Sequence, residues 1–235
     1  MQITKFVTVI FALLQLGVLN GCAPKSGVEE WYALNEEAIE LYRAGKYKRG
    51  VVVAQKAYEV AENRVGPDHP EVATTLNNLA ALYKKQGHYA KAESLYKRAL
   101  SIREKVLGDD HPDVATTLNN LAALYKKQGH CAKAESLYKR ALSIEEKALG
   151  PDHSEVATTL NNLAFLYKKQ GHYAKAESLY KRALSIKEKA LGPDHPDVAA
   201  TLNNLAALYR STNRSEQAKK LEERAAQIHA RRVWY

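Results

Sequence analysis

The segment LNNLAALYKKQGH, residues 76–88, sets two adjacent asparagines inside a run of alanine and leucine that otherwise reads as a helix. Asparagine is worse than alanine in a helix interior by roughly 0.5–0.7 kcal/mol, so the pair needs a compensating role. The segment returns intact at 118–130, as LNNLAFLYKKQGH at 160–172, and in part from Leu202. A second marker keeps the same step: GPDH at Gly66, Gly150 and Gly192, with GDDH at Gly108, each 42 residues from the next. Block 66–107 differs from 108–149 at five positions and from 150–191 at four. A repeat of this length decides architecture before any local propensity does. Near-identity of this kind reads as recent duplication rather than constraint.

Shifting back by one period uncovers a degenerate copy over 29–65, in which Leu34, Ala38, Gly45, Tyr47, Ala57 and Glu62 fall on Leu76, Ala80, Gly87, Tyr89, Ala99 and Glu104. The copy at 192–235 drifts as well: Tyr96 becomes Glu222 and Gly87 becomes Asn213. Polar divergence at both ends suits a stacked array, whose terminal faces have no neighbour. The chain therefore divides into about five units, at 29–65, 66–107, 108–149, 150–191 and 192–235. Within a unit, Pro70 and Glu71 suit a helix start and Gly87 a helix stop; a second helix spans about Tyr89 to Leu107, and Gly108 ends it. The fold class is all-α.

Leu76, Leu79, Ala80, Tyr83, Gly87, Ala92, Tyr96 and Ala99 resemble, in order and spacing, the small/large pattern of tetratricopeptide repeats. The 42-residue period and the DHP loop are similar to the kinesin-light-chain variety. The resemblance covers roughly residues 30–230 and implies antiparallel helix pairs stacked into a right-handed superhelical solenoid with a concave groove.

At about 100° per residue, Leu76, Leu79, Ala80 and Tyr83 share one side of the first helix, while Thr74, Asn77, Asn78, Ala81 and Lys85 share the opposite arc. The resemblance implies that this arc lines the groove. Its counterparts are Thr116, Asn119, Asn120 and Lys127, then Thr158, Asn161, Asn162, Phe165 and Lys169, then Asn203 and Asn204. One expectation is an amide ladder that bonds the backbone of an extended peptide, since a helix spacing of 8–10 Å equals about three extended residues. The alternative is that neighbouring helices satisfy the amides among themselves. Phe165 replaces the Ala81 of other copies and either anchors an apolar ligand group or fills space. The lysine pairs 84–85, 126–127 and 168–169 offset helix dipoles, or favour acidic ligands.

Lys and Arg number 35 against 26 Asp and Glu, a formal charge of +9, but the signs alternate along the chain without a basic block. A nucleic-acid partner is therefore not expected. The start, MQITKFVTVIFALLQLGVLNGC, carries Lys5 ahead of an apolar stretch from Phe6 to about Leu19, too short for a bilayer span. Leu19-Asn20-Gly21-Cys22 resembles a bacterial lipobox. The resemblance implies a signal peptide at 1–21, a lipidated Cys22 with a short tether over 22–28, and a lipoprotein facing the periplasm of a cell envelope, outer membrane favoured. Several acyl chains give stable membrane anchoring. An uncleaved start would instead leave a cytoplasmic adaptor. Cys131, where other copies have Tyr89 and Tyr173, reads as a packing substitution.

Seven of the eight histidines fall in two series, His69, His111, His153 and His195 in the loops and His88, His130 and His172 after the glycines, one per unit. Metal sites need converging ligands, so these series read as structural; no metal and no cofactor is expected. The Asp68–His69 pair suggests a hydrolase, but the pair recurs in several units and no nucleophile singles out one. Non-enzymatic binding of a protein or peptide partner is the expected function.

Overall fold

The structure, a computed structural model, describes residues 27–231. These form five antiparallel helix pairs: α1 (Gly27–Arg43) with α2 (Tyr47–Val65), α3 (Pro70–Lys85) with α4 (Tyr89–Leu107), α5 (Pro112–Gln128) with α6 (Cys131–Leu149), α7 (Ser154–Lys169) with α8 (Tyr173–Leu191), and α9 (Pro196–Ser211) with α10 (Ser215–Arg231). Each helix packs on its neighbours in sequence, and the first helix of each unit also touches the first helix of the next. Contacts stay between adjacent units, as a solenoid requires.

The turns follow from the chemistry of their residues. After α3 the chain needs a left-handed step, taken by Gly87 at φ +81°, which lets the His88 N–H reach the Tyr83 carbonyl at 2.9 Å. The loop histidines are helix caps. His69, His111, His153 and His195 each accept, at Nδ1, the backbone N–H two residues on, at 3.3, 3.1, 3.2 and 3.1 Å. An imidazole can accept there only when that nitrogen is unprotonated, and each cap satisfies one orphan donor of its helix.

The core is built by pairing very small with large side chains. Ala80, Ala92, Ala122, Ala134, Ala164 and Ala176 are fully buried, and so are Tyr96, Tyr138 and Tyr180. Alanine lets helix backbones approach, and tyrosine fills the space left along them. Leu82, Leu124, Leu166 and Leu208 seal each junction with the unit before. At the first junction a Cβ on Gly50 would stand 2.6 Å from Leu82 Cδ2, so α2 carries glycine there. Cys131 packs half-buried against the same core.

Candidate functional site: the concave face

The first helices present their outward arcs to a common concavity. One hollow in it, about 650 Å3, is lined by Lys84, Lys85, Gln86, Gly87, Tyr89, Ala123, Lys126, Lys127, Phe165 and Lys169, which belong to three successive units. A second hollow of about 230 Å3 lies toward the amino-terminal end, between Ala38, Ile39, Tyr42, Asn77, Asn78, Ala81, Leu82 and Asn120. The fold thus gathers Lys85, Lys127, Phe165 and Lys169 in one place, and Asn77, Asn78, Ala81 and Asn120 in another. Thr74, Thr116 and Thr158 spend their hydroxyls on their own helices, donating to the carbonyls of Pro70, Pro112 and Ser154.

The first hollow is cationic and has no counter-charge. None of the six lysines from 84–85, 126–127 and 168–169 forms an ion pair among the described residues, although the convex side and the edges carry many such pairs. Burial pulls the Lys84 ammonium down to about 8, and the neighbouring charges of Lys85 and Lys126 push the same way. Lys126 is lowered by burial and by Lys169; burial lowers Lys168 too. Phe165 lies half-buried between two of these cations, with Lys126 Nζ 4.8 Å and Lys169 Nζ 5.4 Å from its ring centre. Such contacts hold the ring and the cations in place.

The asparagines are bonded mostly to one another. Asn78 Nδ2 donates to Asn35 Oδ1, Asn120 Nδ2 to Asn77 Oδ1 and Asn204 Nδ2 to Asn161 Oδ1, each at 3.2 Å. Each rung ties one unit to the next, which offsets the helix penalty of the pair. All of these amides except Asn35 stay half-exposed, and each bond uses only part of an amide's capacity. The rung between Asn119 and Asn162 is missing: Asn119 Nδ2 donates instead to Glu145 Oε1 at 2.7 Å and to Thr159 Oγ1 at 2.6 Å. Asn162 and the exposed Asn203 have no side-chain partner among the described residues.

Ile39, Tyr42 and Glu145 are absent from the sequence-based site. Shifting Ala81 and Lys84 back by one period leads to Ile39 and Tyr42, so the signal for those two is in the repeat itself. Among the described residues, no three His, Cys, Asp or Glu side chains gather as a metal site would need. No described helix is long and apolar enough to cross a membrane. Cys22 and the segment 1–21 lie outside the described residues.

A tetratricopeptide repeat profile matches residues 33–105, 89–147, 132–189 and 155–231. The chain belongs to the tetratricopeptide repeat family. Solved structures share its right-handed superhelical stack of helix pairs. BtubC (BKLC) from P. vanneervenii is 26% identical, over 88% of this chain and 84% of that one, with a TM-score of 0.74. A kinesin-light-chain-like protein of Podosopora anserina with nearly identical TPR-like repeats is 23% identical, over 87% and 96%, with a TM-score of 0.70. A Rap protein complexed with Competence and Sporulation Factor is 17% identical, over 97% of this chain and 58% of that one, with a TM-score of 0.75. No curated protein matches the sequence. Tetratricopeptide repeats mark the chain as a scaffold for protein-protein interaction.

Proposed function

We propose that the concave face holds an extended, acidic segment of a partner protein, and that a lipid anchor at Cys22 keeps this scaffold at a bacterial membrane, facing the periplasm. One observation carries the binding reading: the lysine hollow spans three units without a carboxylate to balance it, around a half-exposed aromatic ring. A bound carboxylate would offset the burial and like charges that pull Lys84 down, and an apolar ligand side chain would cover Phe165. Half-exposed amides along the same floor are donors and acceptors for a ligand backbone. Nothing in the arrangement supplies a nucleophile with its base, so the reading is of a binder rather than a catalyst. The anchor rests on the lipobox-like Leu19–Cys22, which ends five residues before α1 begins.

Binding is tested with a fluorescent, end-capped decapeptide of alternating Glu and Leu, against one of alternating Lys and Leu. The acidic peptide should bind and lose affinity as salt rises, and Lys84→Glu with Lys126→Glu should abolish binding. Equal affinity for both peptides would overturn the reading. Mass spectrometry of the mature protein tests the anchor: an acylated Cys22 at the amino terminus is expected, and an intact Met1 would remove the claim.

A further inference from the structure

Four junctions join the five units, and one position of each second helix looks across its junction: Ala61, Arg103, Glu145 and Lys187. All four are buried. At the first, second and fourth junctions the asparagine rung is closed; at the third, where the residue is Glu145, it is open. The cause is hydrogen-bond polarity. Arginine and lysine carry only donors and cannot accept an amide NH2. Arg103 donates instead to the Asp113 carbonyl, Thr117 and Thr74, at 2.9, 2.7 and 3.1 Å, and leaves Asn77 to its neighbour Asn120. A carboxyl does accept, so Glu145 draws Asn119 off the ladder. Thr159 is drawn in too: it accepts from Asn119, while Thr75, Thr117 and Thr201 each donate to the carbonyl four residues back.

Asn162, left without its partner, stands three residues before Phe165 on the same helix face, with Lys126 and Lys169 on either side of that ring. We propose that this open rung is the docking point of the groove, where the Asn162 amide bonds the backbone of the bound segment while Phe165 takes an apolar side chain and Lys126 or Lys169 a carboxylate. Glu145 is the positioning residue that keeps the rung open. The inference rests on the groove-binding reading and gives it a register: a ligand is centred on the third junction rather than sliding along equivalent units.

The test uses the full-length chain and the Glu/Leu decapeptide. Glu145→Lys installs the residue of the fourth junction; it should return Asn119 to Asn162, shift the Asn162 side-chain amide in NMR spectra, and weaken peptide binding about five- to tenfold, the worth of one hydrogen bond. Glu145→Gln keeps an acceptor and should bind as the wild type does. Asn162→Ala should lose affinity to the same degree as Glu145→Lys, with its unfolding midpoint unmoved or slightly raised, since alanine is the better helix former and no bond is lost. If Glu145→Lys and Asn162→Ala bind at wild-type strength while Lys126→Glu abolishes binding, the docking point is elsewhere and the groove reading stands. If the wild type ignores the peptide, both fall.

Discussion

The helices α1 and α3 occupy the same place in successive units, yet the faces they turn toward the start of the array are opposite in character. In α3 that face is Val72, Thr75, Leu79 and Leu82, all buried against the first unit. In α1 the same positions are Glu30, Ala33, Glu37 and Glu40, of which the last three are exposed. The far end repeats the lesson in another form. Internal units bury Tyr96, Tyr138 and Tyr180, with Lys84 and Lys126 each 5.9 Å from the centre of its own unit's tyrosine ring. The last unit has Glu222 and Arg210 at those positions, and they form a two-pronged ion pair on the surface, its Nε to Oε1 bond 2.7 Å long. Apolar faces at both ends of an array of near-identical units would invite further copies end to end; charge at the two outer faces of the described array disfavours that.

Carrying a terminal residue into an internal junction should therefore have the largest effect. Leu82→Glu places a carboxylate where 1% of the side chain is exposed, against Gly50 of the first unit. A loss of about 4 kcal/mol or more is expected, confined to the first junction, so that α1 and α2 exchange their amide hydrogens at near-unfolded rates while α5 to α10 stay protected. Uniform loss of protection would show that the units are not separable. The reverse exchange, Glu37→Leu with Glu40→Leu, should turn the amino-terminal face apolar and produce concentration-dependent oligomers in sedimentation.

The repeat period and the polar drift of the outer copies are legible in the sequence because both depend on residue type alone. The second helix of the first intact unit, read as Tyr89 to Leu107, has those limits in the structure; the first helix ends at Lys85, just short of Gly87. The faces of the helices follow from 3.6-residue geometry. The destination of each amide hydrogen does not. Whether Asn119 meets Asn162 or Glu145 depends on groups brought together from 26 to 43 residues away, and treating near-identity as mere duplication hides the few positions that differ. The two readings of the asparagines are also not exclusive, since three rungs are closed between helices and the amides keep capacity to spare.

Glu145 sharpens the comparison among junctions through pH. Burial holds its carboxyl up at about 7, against an ordinary value of 4.5; the charges of Glu155 on α7 and Glu146 on its own helix add to this, and hydrogen bonds from Thr159 and Asn119 oppose it. The charged side chain facing Glu146 is Arg182 on α8, at 2.7 Å. The folded state binds this proton more tightly than the unfolded chain does. Its contribution to stability is thus complete below about pH 4.5 and is lost as the pH rises through about 7. Wild type should lose roughly 2 kcal/mol relative to Glu145→Gln between pH 5 and pH 8, read from denaturant midpoints; parallel profiles would mean that the carboxyl is as ionised in the fold as in the unfolded chain across this range.

The histidine caps give a smaller effect that should not distinguish the units. His111→Ala and His195→Ala each remove one acceptor from a helix start and should each cost about 1 kcal/mol by denaturant unfolding. A much larger cost at His111 would mean that these loops do more than cap.

The weakest contrast is between two ion pairs of the same form. Arg140 meets Glu104 and Arg182 meets Glu146, both at 2.7 Å and both with arginine side chains 41% exposed; each has a second, weaker contact, Arg140 with the exposed Asp109 at 3.6 Å and Arg182 with the Pro151 carbonyl at 3.3 Å. Pairs of this exposure are worth about 0.2–1 kcal/mol, and less in salt. Arg140→Ala should therefore cost a few tenths of a kcal/mol, independent of pH between 5 and 8. Arg182→Ala removes the same kind of pair but also leaves Glu146 unbalanced beside Glu145, whose ionisation then meets one more uncompensated charge. Its cost should match that of Arg140→Ala to within a few tenths of a kcal/mol at pH 5, where Glu145 is neutral, and exceed it at pH 8. The double variant Arg182→Ala, Glu145→Gln should erase the excess that appears between pH 5 and pH 8, because the group that ionises over that range is then gone.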